Sequence, residues 1–241
     1  MPRAVINYGH GPLNNGNTDP GAIGATGYKE ATQNAEVGTK VVAKLKANGW
    51  DVLAIQDGDL SDVTNQSNAF KADYFISIHA NSFSDPTAHG VETYAFQVGG
   101  KGQNIAQAIQ NDLVAATGLT GRGVKFGNLH VLKYTNCPAV LVEIGFISNP
   151  AEEALMKSDA WDDKVANAIC KGFSRAVGVA YTDGVVVAPT PIVEAVVTTQ
   201  PRKFAVDDGY LWVLIREPFM DQAIKDIGAM GYAAGRLNLA K

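Results

Sequence analysis

Along residues 1–180 the apolar positions keep two rhythms. Predominantly apolar runs at 4–8, 50–55, 74–78 and 139–142 have the length of buried strands, and 91–96 alternates as a half-buried strand does. The run 130–132 reads as one more short strand. Between these runs the period becomes helical. From Glu30 onward, Ala35, Val37, Val41, Val42, Leu45 and Ala47 recur near helical spacing, and Asn48-Gly49 closes the segment. Further helical patterns cover 61–71, 101–116, 150–157 and 160–177, with Ile105, Ile109 and Leu113 on one face of the second. Strands alternating with helices predict an α/β domain with a largely parallel central sheet flanked by helices.

Two stretches break the rhythm. Residues 11–27 contain Gly11, Gly16, Gly21, Gly24 and Gly27 with Pro12 and Pro20, which predicts a long irregular loop of the kind that carries function. Residues 182–201 place Pro189, Pro191 and Pro201 among Val, Thr and Ala, and read as a linker. The expected organisation is a domain at 1–181, that linker, and a small α+β module at 202–241 with a strand over 210–215 and a helix over 218–230.

Composition changes this picture little. The 241 residues are 46% apolar and 18% charged, as in ordinary globular chains. A net charge of −4 gives no support to a nucleic-acid partner. No apolar run reaches the length of a membrane span, so no membrane insertion is expected. Met1-Pro2-Arg3 leads straight into a strand without the apolar core of a signal peptide, which predicts synthesis in the cytoplasm. Cys137 and Cys170 match no metal or redox spacing and read as free thiols.

The chemistry-bearing residues stand at the carboxyl ends of predicted buried strands: His10, His79 and Glu143. Ligands of open α/β sheets bind in the crevice outside those ends, so the three would converge. Two imidazoles and one carboxylate, with a fourth position open to water, are what a catalytic zinc ion requires. Glu30 can supply that carboxylate at the start of its helix; it reads equally well as an ordinary first-turn glutamate favoured by the helix dipole.

Gly9-His10-Gly11, Asp19-Pro20-Gly21-Ala22, Gly27-Tyr28-Lys29-Glu30, Ser77-Ile78-His79-Ala80-Asn81 and the run from Pro138 through Val142-Glu143-Ile144-Gly145-Phe146-Ile147-Ser148-Asn149 to Pro150 resemble the N-acetylmuramoyl-L-alanine amidase family. The motifs fall in order between residue 4 and about residue 178. The resemblance implies a twisted sheet flanked by helices, zinc bound by His10, Glu30 and His79, and Glu143 as the catalytic glutamate. It also implies peptidoglycan as the partner, cut at the amide between N-acetylmuramic acid and L-alanine. The first loop departs from the family pattern through the added stretch 12–18.

Other polar residues have two readings each. Asn81 lies close enough to His79 to touch substrate or to bond within its own loop. Arg122 and Lys125 could meet a stem-peptide carboxylate, although a solvated pair of charges is the plainer account. His89 and His130 read as loop and strand-end residues. The small module reads as a wall-targeting element, since tethering raises effective concentration on an insoluble polymer, with self-association as a companion. Lack of a signal peptide combined with such a module points to an endolysin that reaches the cell wall after release. The alternatives are a non-catalytic wall-binding protein and a zinc peptidase acting within the stem peptide.

Overall fold

The structure is a computed structural model and describes residues 1–184 together with Ala205–Asp207 and Tyr210–Trp212. The elements in order are β1 (Arg3–Tyr8), β2 (Gly11–Pro12), β3 (Thr18–Asp19), α1 (Glu30–Ala47), β4 (Asp51–Gln56), α2 (Leu60–Phe70), β5 (Tyr74–Asn81) and β6 (Val91–Ala95). They continue with α3 (Lys101–Thr117), β7 (Gly121–Phe126), α4 (His130–Lys133), β8 (Ala139–Phe146), α5 (Pro150–Met156) and α6 (Asp159–Val177).

Six strands form one sheet in the order β4-β1-β5-β8-β6-β7. Every neighbouring pair is parallel except β6 with β8, so the expected largely parallel sheet is present with one antiparallel junction. Alternation along the strands sends residues to two different helix layers. Ile6, Ile76, Ile78, Val140 and Val142 pack with α1, α3 and α6 through Val37, Val41, Leu45, Ile109, Ile169 and Phe173. Val5, Phe75 and Leu141 face the other way, onto Val63 of α2 and Val131 and Leu132 of α4. That second layer is built from short helices, of 11 and 4 residues. Asn7, Ser77, His79, Glu143 and Glu92 lie on this same face, where polar side chains replace the apolar ones.

Helix ends follow local chemistry. Gly118 and Gly178 close α3 and α6 in the left-handed conformation, at φ 71° and 74°. Asn149 caps α5, accepting from Ala151 N and Glu152 N, and Pro150 follows at the first helical position.

The structure differs from the sequence reading at four places. Residues 130–132 are the start of the α4 turn, closed by Tyr134 N donating to the His130 carbonyl, since a run of three residues carries too little period to separate a turn from a strand. Gly121–Phe126 is an edge strand that its sequence does not announce. Glu143 is not the last residue of its strand, because β8 continues to Phe146. The glycine-rich loop is also less irregular than expected, since the added stretch folds back through the β2–β3 pair.

The chain divides into two compact units, Met1–Thr190 and Pro191–Lys241. In the second, Ala205–Asp207 and Tyr210–Trp212 pair antiparallel. The expected helix over 218–230 and most of the expected linker lie outside the described residues. No helix among the described residues is long and apolar enough to cross a membrane.

Candidate metal centre

His10 follows β1, Glu30 opens α1 and His79 lies near the end of β5, and the fold brings all three together. His10 Nε2 lies 3.2 Å and His79 Nδ1 3.0 Å from the same atom, Glu30 Oε1. Glu30 is held in place from both sides: Oε2 accepts from Ala22 N at 2.8 Å, and Oε1 accepts from Ala80 N at 3.2 Å. The two imidazoles meet edge to face with centroids 5.2 Å apart.

Two glycines make room for this packing. A Cβ on Gly9 would lie 2.1 Å from the His79 ring, and one on Gly21 would lie 2.6 Å from both Glu30 Oε2 and the His10 ring. Gly21 also has φ of +65°, which glycine adopts without strain. His10 itself has φ of 64°, an uncommon left-handed backbone of the kind that collects at functional sites.

Behind His10 stands Asp19, whose Oδ2 is 2.7 Å from Nδ1. The carboxylate accepts the Nδ1 hydrogen and so leaves Nε2 as the nitrogen that faces Glu30 and can exchange its proton for a metal ion, the arrangement that orients histidine ligands in metal sites. Burial by itself would lower the His10 pKa, but the Glu30 and Asp19 carboxylates outweigh it and raise the group to about 9. Burial would likewise raise the Glu30 carboxyl; His10 and His79 outweigh it and hold the group below the usual carboxylate range. Convergent nitrogen and oxygen donors with a bare nitrogen and a carboxylate at the centre fit a divalent cation.

Glu143 is the register partner of His79 on the adjacent strand, so its side chain shares the same face. Its Oε2 is shielded from solvent and has no hydrogen-bond partner among the described residues. Burial, with the charges of Glu30 and Glu92 added, pushes its pKa well above the normal carboxylate value. An acid with one shielded, unpartnered oxygen beside a donor set of this kind is a candidate functional group, because structural acids are normally satisfied.

The chain's relatives bear directly on this geometry. Residues 4–175 match the family model described as N-acetylmuramoyl-L-alanine amidase. The chain belongs to that amidase family. The N-acetylmuramoyl-L-alanine amidase LytC of Bacillus subtilis (strain 168) is 35% identical over 174 residues, covering 69% of this chain and 34% of LytC. This chain therefore spans about a third of that relative's length. The endolysin of Bacillus phage SPP1 is 30% identical over 217 residues, covering 82% of this chain and 76% of the endolysin. The catalytic domain of CwlV, an N-acetylmuramoyl-L-alanine amidase from Bacillus (Paenibacillus) polymyxa var. colistinus, superposes with a TM-score of 0.68 at 34% identity. That match covers 75% of this chain and all of that domain.

Within this amidase fold the remaining polar residues find their places. Asn81 spends its side chain inside the protein, donating from Nδ2 to Glu92 Oε1 at 3.0 Å and accepting from Ser82 N at 2.8 Å. Arg122 is not simply a solvated charge. Its Nε donates to Glu92 Oε2 at 2.8 Å, and its guanidinium lies 4.8 Å above the Phe146 ring. His89 is exposed and bonds the Thr87 carbonyl, while His130 stacks on Tyr134. The sequence reading did not single out Asp19, Ser77 and Glu92 as site residues. The first two lie within the quoted motifs, which were the available signal. Glu92 alternates with apolar neighbours and looks solvent-facing in sequence, yet it is 4% exposed.

Proposed function

We propose that this chain is a zinc-dependent hydrolase of peptidoglycan that cuts the amide between the lactyl group of N-acetylmuramic acid and L-alanine of the stem peptide. The observation that carries the proposal is Glu143, its Oε2 shielded and unpartnered, in register with one residue of a two-histidine, one-carboxylate donor set. His10 Nε2, His79 Nδ1 and Glu30 would hold the ion, with Asp19 fixing His10 from behind. Bound there, zinc supplies Lewis acidity, polarising the scissile carbonyl and acidifying a water.

The chain's own groups do the rest. Glu143 takes a proton from the attacking water and delivers it to the nitrogen of the departing L-alanine, so one carboxyl serves as base and then as acid. A pKa raised by burial suits the second step, because the carboxyl holds the proton taken from water until the leaving nitrogen accepts it.

The role as an endolysin is supported by the SPP1 relative, whose match covers more of this chain than the amidase family model does. In this reading 1–181 performs the hydrolysis and 202–241 retains the enzyme on the wall. The test is digestion of purified cell walls with zinc-loaded protein, with the released ends identified by mass spectrometry. New L-alanine amino termini, absent after chelation, are the expected result. Ends inside the stem peptide would identify a peptidase, and no release would identify a wall-binding protein.

A further inference from the structure

The imidazole of His79 has a hydroxyl, not a carboxylate, on its far side: Nε2 lies 3.1 Å from Ser77 Oγ. A hydroxyl can donate or accept, so this contact alone does not say which ring nitrogen carries the hydrogen. The strands beneath decide it. Asn7 on β1 stands in register between Ile55 on β4 and Ser77 on β5. Its Nδ2 donates to the Ile55 carbonyl oxygen at 3.3 Å. A carbonyl only accepts, so the nitrogen of the amide must face Ile55 and Oδ1 must face Ser77, at 2.7 Å from Oγ.

Oδ1 also only accepts, and the single Ser77 hydroxyl hydrogen therefore goes to Asn7. Ser77 Oγ is left as an acceptor toward His79, whose Nε2 must carry the hydrogen. Once a cation replaces the proton shared between His79 Nδ1 and Glu30 Oε1, 3.0 Å apart, the imidazole with its hydrogen on Nε2 is bare at Nδ1. Ser77 is 0% and Asn7 2% exposed, so bulk water does not compete for these bonds.

We infer that Asn7 and Ser77 are positioning residues that select the His79 tautomer and present its bare Nδ1 to the cation held with His10 and Glu30. The relay starts at the backbone of β4 and ends at the metal centre, two strands away. It does for His79 what Asp19 does for His10, without adding a second negative charge behind the ligands. The inference rests on the metal reading proposed above.

The test uses the full chain loaded with zinc and labelled with 15N at histidine. Long-range nitrogen–proton NMR of His79 is expected to show Nε2 protonated and Nδ1 free of hydrogen; the reverse pattern would overturn the inference. Zinc affinity, read by competition with a chromophoric chelator, is expected to fall about 10- to 100-fold in Ser77→Ala and to be restored in Ser77→Thr. Asn7→Leu frees the Ser77 hydroxyl to donate to Nε2 and is expected to weaken zinc as Ser77→Ala does. Unchanged affinity in both Ser77→Ala and Asn7→Leu would overturn the inference. The wild-type tautomer decides the matter even if a variant fails to fold. Wild-type protein that releases L-alanine termini but carries the hydrogen on Nδ1 leaves the amidase reading intact and sinks only this relay. Protein with the expected tautomer that releases nothing from walls does the opposite.

Discussion

Glu143 and Glu92 face each other across β8 and β6, one register position on one face of the sheet, and their surroundings are opposite. Glu92 is saturated. Its Oε1 accepts from Asn81 and from the Tyr94 hydroxyl at 2.9 Å, and its Oε2 accepts from Arg122. Glu143 Oε2 meets no donor among the described residues. Neighbouring strands thus carry one acid whose hydrogen bonds are complete and one left without a donor at Oε2. The difference teaches that position on the sheet does not decide a carboxylate's role; an oxygen left without partners is the one free to take and give a proton.

The comparison can be broken most severely on the metal side. Gly9→Ala places a methyl group in the His79 ring and is expected to lower the rate on cell walls by about 100-fold, as an ångström-scale misplacement of a reacting group does. Zinc content measured on the same sample should fall with the rate. A variant that keeps both would show that His79 is not held where the donor set needs it.

The satisfied acid should fail differently. Glu92→Gln strips charge from the Arg122 pair and sets its amide hydrogens against the Asn81 donor. It is expected to cost about 2–4 kcal/mol of stability by urea unfolding, while the folded fraction keeps a near-normal kcat. Arg122→Ala leaves Glu92 buried without its cation; because the Arg122 side chain is 39% exposed, about 1–3 kcal/mol is expected. If Glu92→Gln is as stable as wild type but inactive, the two glutamates have been assigned the wrong way round.

A third acid lies between the two extremes. Asp162 is buried and accepts one bond, from Gln33 Nε2 at 2.8 Å, and burial, with the Glu36 charge added, pushes its pKa up to about 6. Since the folded value exceeds the unfolded one near 3.9, the folded chain binds this proton more tightly. Stability therefore falls as pH rises from about 4 to 6, and the cost is complete above that. Asp162→Asn, which keeps the acceptor for Gln33, is expected to raise stability at pH 7.5 by about 1–2 kcal/mol and to change little at pH 4. Equal effects at both pH values would show that Asp162 does not titrate in this window.

Much of this fold could be read in the sequence because its signals are local. Val37, Val41 and Leu45 repeat at helical spacing, and the strand runs around Ile6, Ile76 and Val140 are predominantly apolar. β7 could not be read that way: Gly-Arg-Gly-Val-Lys-Phe has no apolar alternation and becomes a strand only by pairing with β6. The site divides along the same line. Ordered motifs pointed to His10, Glu30, His79 and Glu143. The groups that orient them act through pairings that spacing does not encode, such as Asn7 beneath Ser77, 70 residues apart. Glu92 was invisible for that reason too, because its burial and its partner both come from the neighbouring strands.

The central claim is that Glu143 moves the proton while three other residues hold the metal. It is tested most directly by Glu143→Gln, compared with wild type for bound zinc and for the rate at which L-alanine amino termini appear from purified walls. The account predicts equal zinc and a rate lower by about 10²–10⁴-fold, the usual worth of a general acid–base group. A variant that keeps the wild-type rate, or one whose lost rate is matched by lost zinc, would contradict it.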